Sequence, residues 1–161
     1  MRGHPWHPVL VHFPIACWSL AALIDAAMLV GAGERAAALL PGVAPAALSY
    51  ALLWIGVLLG VATMILGFVD FLRLPSILQR GAALNWHVIA MLGAWALFLG
   101  AALLRPKPAA LPAPASLAAT LAEIAGLACL VVGGALAAAV VFDGWPRAAA
   151  GERQHKASSE R

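Results

Sequence analysis

The residues best suited to chemistry are histidines and an acid near the ends of long apolar runs. His7 and His12 precede and enter the first run, Asp70 closes the second, and His87 opens the third. A neutral imidazole carries a nitrogen lone pair that binds transition metals, and a carboxylate adds an oxygen ligand. These residue types favour metal or cofactor binding over hydrolysis, because the sequence offers no nucleophile with an adjacent base. An electron carrier or an accessory subunit is therefore expected rather than a hydrolase or a transferase.

Two ligand sets can be built from these side chains. In the first, His12 and His87 supply both axial ligands of a haem b, and covalent c-type attachment is excluded because the chain has no CxxCH motif. In the second, His7, His12, His87 and Asp70 bind a copper, zinc or iron ion. A third interpretation needs no cofactor: the histidines satisfy one another and cap helices in an accessory subunit of a membrane complex.

The first two histidines are not expected to act together. His7 and His12 are five residues apart, which turns them about 140° from each other on a continuous helix. They would face one centre only if Pro8 and Pro14 broke the helix. Pro14 fits a first helical turn, so the regular helix is expected to begin near it, with His12 at its cap or at a kink.

The composition places these residues in a membrane protein. Hydrophobic residues make up 63% of the 161-residue chain and charged residues 11%, and the mean hydropathy is +0.92. Soluble domains carry about 25% charged residues. The net charge of +3 and the pI of 9.4 come without a basic patch interleaved with aromatics, so the expected partner is the lipid bilayer and not nucleic acid.

Four apolar runs are long enough to cross a bilayer, which takes about 20 helical residues. They cover residues 9–30, 47–72, 82–104 and 117–142. Strands of a membrane barrel would be about 10 residues long with alternating polarity, which the sequence lacks. The sequence therefore predicts an all-α integral membrane protein, an antiparallel four-helix transmembrane bundle over residues 1–147. A polar tail over 148–161 is expected to be disordered.

Basic residues predict the orientation of this bundle. An even number of spans places both termini on one side, together with the connection between the second and third spans. That side carries seven of the ten basic residues: Arg2, Arg73, Arg80, Arg147, Arg153, Lys156 and Arg161. The other side carries Arg35, Arg105 and Lys107. The positive-inside rule then predicts that both termini are cytoplasmic.

This topology brings the candidate residues to one end of the bundle. Spans one and three are expected to lie diagonally across the core, where His12 and His87 can face each other at similar depth. The propionates of a haem would then lie near the arginines at the same end, Arg73, Arg80 and Arg147. At the opposite end, Asp25 and Glu123 share a depth and could pair through a proton or a water.

The opening His7-Pro8-Val9-Leu10-Val11-His12-Phe13-Pro14-Ile15-Ala16 resembles a bacterial family of small four-span membrane proteins classed as a domain of unknown function. Asp25, the segment Gly67-Phe68-Val69-Asp70, His87 and the pair Gly133-Gly134 are also similar to that family. The resemblance implies four spans in a bacterial inner membrane and a link to haem or electron transfer. It also implies redox partner proteins or a homo-oligomer as possible partners.

The chain departs from the family pattern after the fourth span. Many members carry a further histidine there, whereas this chain reads Val141-Phe142-Asp143-Gly144. A second cofactor site that uses that position is therefore not expected in this protein.

Overall fold

A computed structural model describes residues 6–39, 41–73, 81–105 and 114–144, and the described part is helical throughout, with no strand. Its helices are α1 (Trp6–Leu10), α2 (His12–Leu29), α3 (Gly33–Leu39), α4 (Pro45–Leu72), α5 (Ala82–Leu104) and α6 (Leu117–Ala139), and a π-helical turn (Val140–Gly144) extends α6. Arg80, Arg147 and the expected tail over 148–161 lie outside the described residues.

In the described parts of the chain, four helices are long and apolar enough to cross a membrane: His7–Leu29, Pro45–Leu72, Ala82–Leu104 and Leu117–Phe142. The predicted all-α four-helix membrane architecture is confirmed. We call these helices spans one to four, in chain order.

Span one contains both α1 and α2, which meet at Val11. Pro14 has no N–H with which to bond the carbonyl of Leu10. The regular helical hydrogen bonding is therefore interrupted about one turn before Pro14. The hydrogen bonds from Val11 N to His7 O (3.0 Å) and from Ile15 N to Val11 O (3.4 Å) keep the two pieces together. The register of span one therefore continues through the break.

The spans are arranged as two hairpins, spans one and two and spans three and four. Span one also packs against span four, and span two against span three, so spans one and three lie on one diagonal of the bundle. Trp18 and Phe98 stack across this diagonal, with ring centroids 4.6 Å apart and planes 3° from parallel. This aromatic pair forms the centre of the core.

Glycines on the other two spans make room for these rings. A Cβ atom added at Gly56 would lie 2.5 Å from Nε1 of Trp18, and one added at Gly126 would lie 2.8 Å from Cε2 of Phe98. Small residues allow helices in lipid to approach closely, because packing rather than hydrophobic exclusion drives their association. Gly56 and Gly126 thus leave the space that the Trp18 and Phe98 rings occupy.

The packing predicts different outcomes for two Gly→Ala substitutions. Gly56→Ala should lower the free energy of unfolding in detergent by about 1–3 kcal/mol, because its new methyl group overlaps the Trp18 ring. Gly134→Ala is the matched control, since nothing lies within 4 Å of a Cβ added there. Thermal unfolding followed by circular dichroism measures both. Equal midpoints for the two variants would contradict this account of the core.

Candidate functional site

A cavity of about 950 Å³ lies at the end of the bundle where spans one and three begin and spans two and four end. Its lining is mostly aliphatic and aromatic, and five of its lining residues have polar side chains outside the indoles: His7, Thr63, Asp70, Asn85 and His87. Small-molecule and cofactor sites in proteins have volumes of about 300–1,000 Å³ and are lined mainly by apolar groups with a few polar ones. The cavity has the size and lining of such a site.

His7 is bound to span two by its ring. Its Nδ1 lies 3.0 Å from the carbonyl oxygen of Thr63. A carbonyl can only accept a hydrogen bond, so Nδ1 carries the proton and Nε2 of the neutral ring carries the lone pair. The ring lies against Gly67, one turn after Thr63: a Cβ atom at Gly67 would be 2.8 Å from Cε1 of His7. The missing side chain lets the imidazole reach the helix backbone.

His87 is bound to span four in the same way. Its Nδ1 lies 2.8 Å from the carbonyl oxygen of Gly133. The same reasoning assigns the proton to Nδ1 and the lone pair to Nε2. Hydrogen bonds of this kind fix the tautomer and the orientation of metal-binding histidines. Two imidazoles on diagonal spans therefore line one cavity, each with its Nδ1 held by a backbone carbonyl.

The structure does not bring His12 and His87 together. The side chain of His12 is exposed on the outside of the bundle, and it does not line the cavity. The physical reason is the register of span one: His7 and His12 point about 140° apart, and the structure turns His7 inward. The residue that shares the cavity with His87 is His7.

The remaining predicted ligands fall into three groups. Asp70 is half-buried and lines the cavity, whereas Arg73, one turn further along, is exposed at the same end of the bundle. Arg80 and Arg147 cannot be placed, because they lie outside the described residues. Among the described residues, no group of three or more His, Cys, Asp or Glu side chains is placed to hold a metal ion.

A second polar cluster lies at the opposite end of the bundle. Arg105, which follows span three, forms ion pairs with Asp25 and Glu123, and all three side chains are fully buried. Its Nη1 donates a hydrogen bond to Oγ of Ser49 (3.0 Å), and Ser49 donates to Oδ1 of Asp25 (2.7 Å). We call Asp25, Ser49, Arg105 and Glu123 the arginine cluster. It takes one side chain from each span or its end.

The predicted sharing of depth by Asp25 and Glu123 holds, but the group that joins them is Arg105. Burial lowers the pKa of the Arg105 guanidinium, and the charge of Glu123 opposes that change. Reading Arg105 as an exposed loop residue missed this role. The sequence spacing does indicate that Arg105 faces the core. Arg105 follows His87 by 18 residues, as Asp25 follows His7, and 18 residues make five helical turns. Each pair therefore lies on one face of its span.

Removing the guanidinium should destabilise the bundle strongly. Arg105→Met leaves two buried carboxyl groups without their cation, and breaking a buried ion pair on one side costs about 3–5 kcal/mol. The matched control is Arg35→Met, because Arg35 is exposed on α3. Thermal unfolding in detergent should show a large decrease in midpoint for the first variant and almost none for the second. Equal stability of both variants would show that the cluster is not a structural requirement.

Comparison with known proteins places the chain in a family. The family model described as "Predicted membrane protein (DUF2231)" matches residues 3–150. No curated protein and no solved structure matches the chain. The family match covers all four spans, both histidines that line the cavity and the arginine cluster. The chain therefore belongs to the DUF2231 family of predicted membrane proteins.

Proposed function

We propose that this protein binds one haem b in the cavity, with Nε2 of His7 and of His87 as the two axial ligands, and transfers electrons in the membrane. The observation that carries the proposal is the pair of carbonyl-bound imidazoles that line a common apolar cavity. Bound haem would supply one-electron chemistry through its iron. The protein would fix the orientations and the neutral tautomers of the two imidazole rings, and it would keep water out of the cavity.

The tautomers favour a metal centre over an organic ligand that presents only hydrogen-bond acceptors. Because Nδ1 donates to a backbone carbonyl in both histidines, Nε2 presents a lone pair and has no proton to donate. An organic carbonyl or carboxylate would need a donor at that position. A metal needs the lone pair. A bare ion would also need further ligands, whereas a haem brings four nitrogens of its own and an apolar ring that suits the aliphatic lining.

The cavity opens towards lipid between spans two and three. Seven of its apolar lining residues have side chains that are exposed on the surface of the bundle, four on span two and three on span three: Val61, Ile65, Phe68, Val69, Val88, Ile89 and Leu92. In a bilayer these side chains would contact acyl chains. The opening supports entry of the cofactor from the membrane. It also supports electron exchange with a membrane-bound or lipid-soluble partner, or with a second copy of the chain.

We further propose that the cavity end faces the cytoplasm of a bacterium, with both termini inside and the protein in the inner membrane. The basic residues support this orientation more clearly once Arg105 is seen to be buried and paired. By their positions in the sequence relative to the spans, seven basic residues belong to the side of the cavity, and besides Arg105 only Arg35 and Lys107 belong to the other. The positive-inside rule counts charges in the short loops next to the spans.

Loss of either axial ligand should remove the haem spectrum. Purified protein, loaded with haem by titration, should bind one haem per chain and show the sharp Soret and α bands of a six-coordinate b-type centre. His7→Ala and His87→Ala should each lose those bands, because each removes one ligand. The matched control is His12→Ala, which should keep the wild-type spectrum because His12 is exposed.

The outcomes separate the alternatives. Loss of the bands in His12→Ala with retention in His7→Ala would overturn the ligand assignment. Colourless protein that carries stoichiometric copper, zinc or iron by elemental analysis would favour the ion-binding hypothesis, with Asp70 as a third ligand. Protein that takes up neither haem nor metal would favour an accessory subunit.

The fit of His7 against span two gives a finer test. Gly67→Ala places a methyl group 2.8–3.3 Å from three atoms of the His7 ring, which forces the imidazole away from the Thr63 carbonyl. We expect haem affinity to fall about 10–100-fold, the usual effect of losing a partner that orients a metal ligand. Haem titration followed by absorbance measures the affinity. Gly134→Ala is the control, and equal affinities in the two variants would contradict the role of this contact.

A further inference from the structure

The arginine cluster contains more acid than base. Asp25 and Glu123 are two carboxyl groups, Arg105 is one guanidinium, and their side chains are fully buried. If both acids were ionised, the cluster would carry one net negative charge in a region without water. An uncompensated ion in such a region is costly and usually becomes neutral. One bound proton would remove the net charge.

No other charged group of the described residues relieves this imbalance. The ionisable residues of α3, Glu34 and Arg35, are exposed. Span two contributes Ser49, which is neutral. The other buried polar residue on span four, Thr120, hydrogen-bonds to the carbonyl of Ser116 at 3.2 Å. As far as the described residues show, the charge balance is therefore reached within the cluster.

The hydrogen bonds distinguish the two acids. Both oxygens of Asp25 contact a group that favours an ionised carboxylate. Oδ1 accepts a hydrogen bond from Ser49 at 2.7 Å, and Oδ2 forms the ion pair with Arg105, although it makes no hydrogen bond. Glu123 uses only Oε1, which accepts from Nη2 of Arg105 at 3.2 Å. Its Oε2 is buried and has no hydrogen-bond partner among the described residues. A charged carboxylate oxygen is unfavourable at that position, and a proton on Oε2 would remove the charge.

We infer that the arginine cluster is a proton-binding site, with the proton on Oε2 of Glu123 at neutral pH and with Asp25 ionised. The site does not depend on the haem proposal, because it lies at the opposite end of the bundle. His7 and Asp25 are 18 residues apart on span one, about 27 Å along a helix. The cluster is then a neutral assembly of one cation, one anion and one carboxylic acid.

Infrared spectroscopy of the unmodified protein tests the inference directly. The protein is reconstituted in phosphatidylcholine vesicles at neutral pH, where exposed carboxyl groups are ionised. A protonated carboxyl C=O band should appear and should move to lower frequency when the chain is labelled with ¹³C-glutamate. It should stay in place with ¹³C-aspartate. A band that moves with the aspartate label, or the absence of any such band, would overturn the inference.

Two matched amide substitutions test it independently. Glu123→Gln replaces a neutral acid by a neutral amide, so the thermal midpoint should stay near that of the unmodified protein and the infrared band should vanish. Asp25→Asn removes the only anion and should lower the midpoint by roughly 10 °C. Equal decreases in both variants, or a larger decrease for Glu123→Gln, would contradict the assignment of the proton to Glu123. If Asp25→Asn does not fold, the isotope-labelling result decides alone.

Discussion

Burial of the Arg105 guanidinium is the constraint that the arrangement of the four spans depends on. A cation of this kind is tolerated in the interior only where carboxylates and hydrogen-bond acceptors surround it. Here those groups come from three other helices: Asp25 on span one, Ser49 on span two and Glu123 on span four. Because each span supplies one member, the cluster fixes their relative rotation and depth at that end of the bundle.

The cluster acts on the other end through helix geometry. Span one carries Asp25 and His7 five turns apart, and span three ends in Arg105 five turns after His87. On each of these two spans, the residue that faces the core at one end therefore lies on the same helix face as the residue that faces the core at the other end. The stacked rings of Trp18 and Phe98 lie between the two levels and hold the same diagonal.

The cavity follows from how the hairpins are joined. His7 hydrogen-bonds within the first hairpin, to Thr63, and His87 within the second, to Gly133. Neither bond connects one hairpin to the other. The arginine cluster does connect them, at the far end, and the aromatic stack does so in the middle. The hairpins are thus joined over part of their length and leave space between them where the histidines lie.

Hydropathy alone predicted the spans well, because a run of about 20 apolar residues is typical of a transmembrane helix and rare elsewhere. It placed His7, His12, Asp70 and His87 at one end correctly, since an even number of antiparallel helices leaves little choice. It paired His12 with His87 as haem ligands, whereas the structure turns His7 into the cavity and leaves His12 exposed. The angle of about 140° between the two histidines shows that they face apart but not which of them faces inward. Hydropathy also missed Arg105, which composition treats as a loop charge although its side chain folds back into the bundle.

The two ends of the bundle stabilise their buried polar groups in different ways. At one end the buried guanidinium of Arg105 is paired with the carboxyl groups of Asp25 and Glu123. At the other end each imidazole is hydrogen-bonded through Nδ1 to a backbone carbonyl, which leaves its second nitrogen without a proton in the neutral form. A carboxylate in place of the carbonyl would favour the protonated ring and would remove the lone pair. A neutral acceptor therefore leaves the second nitrogen of His7 and of His87 available for the haem that we propose.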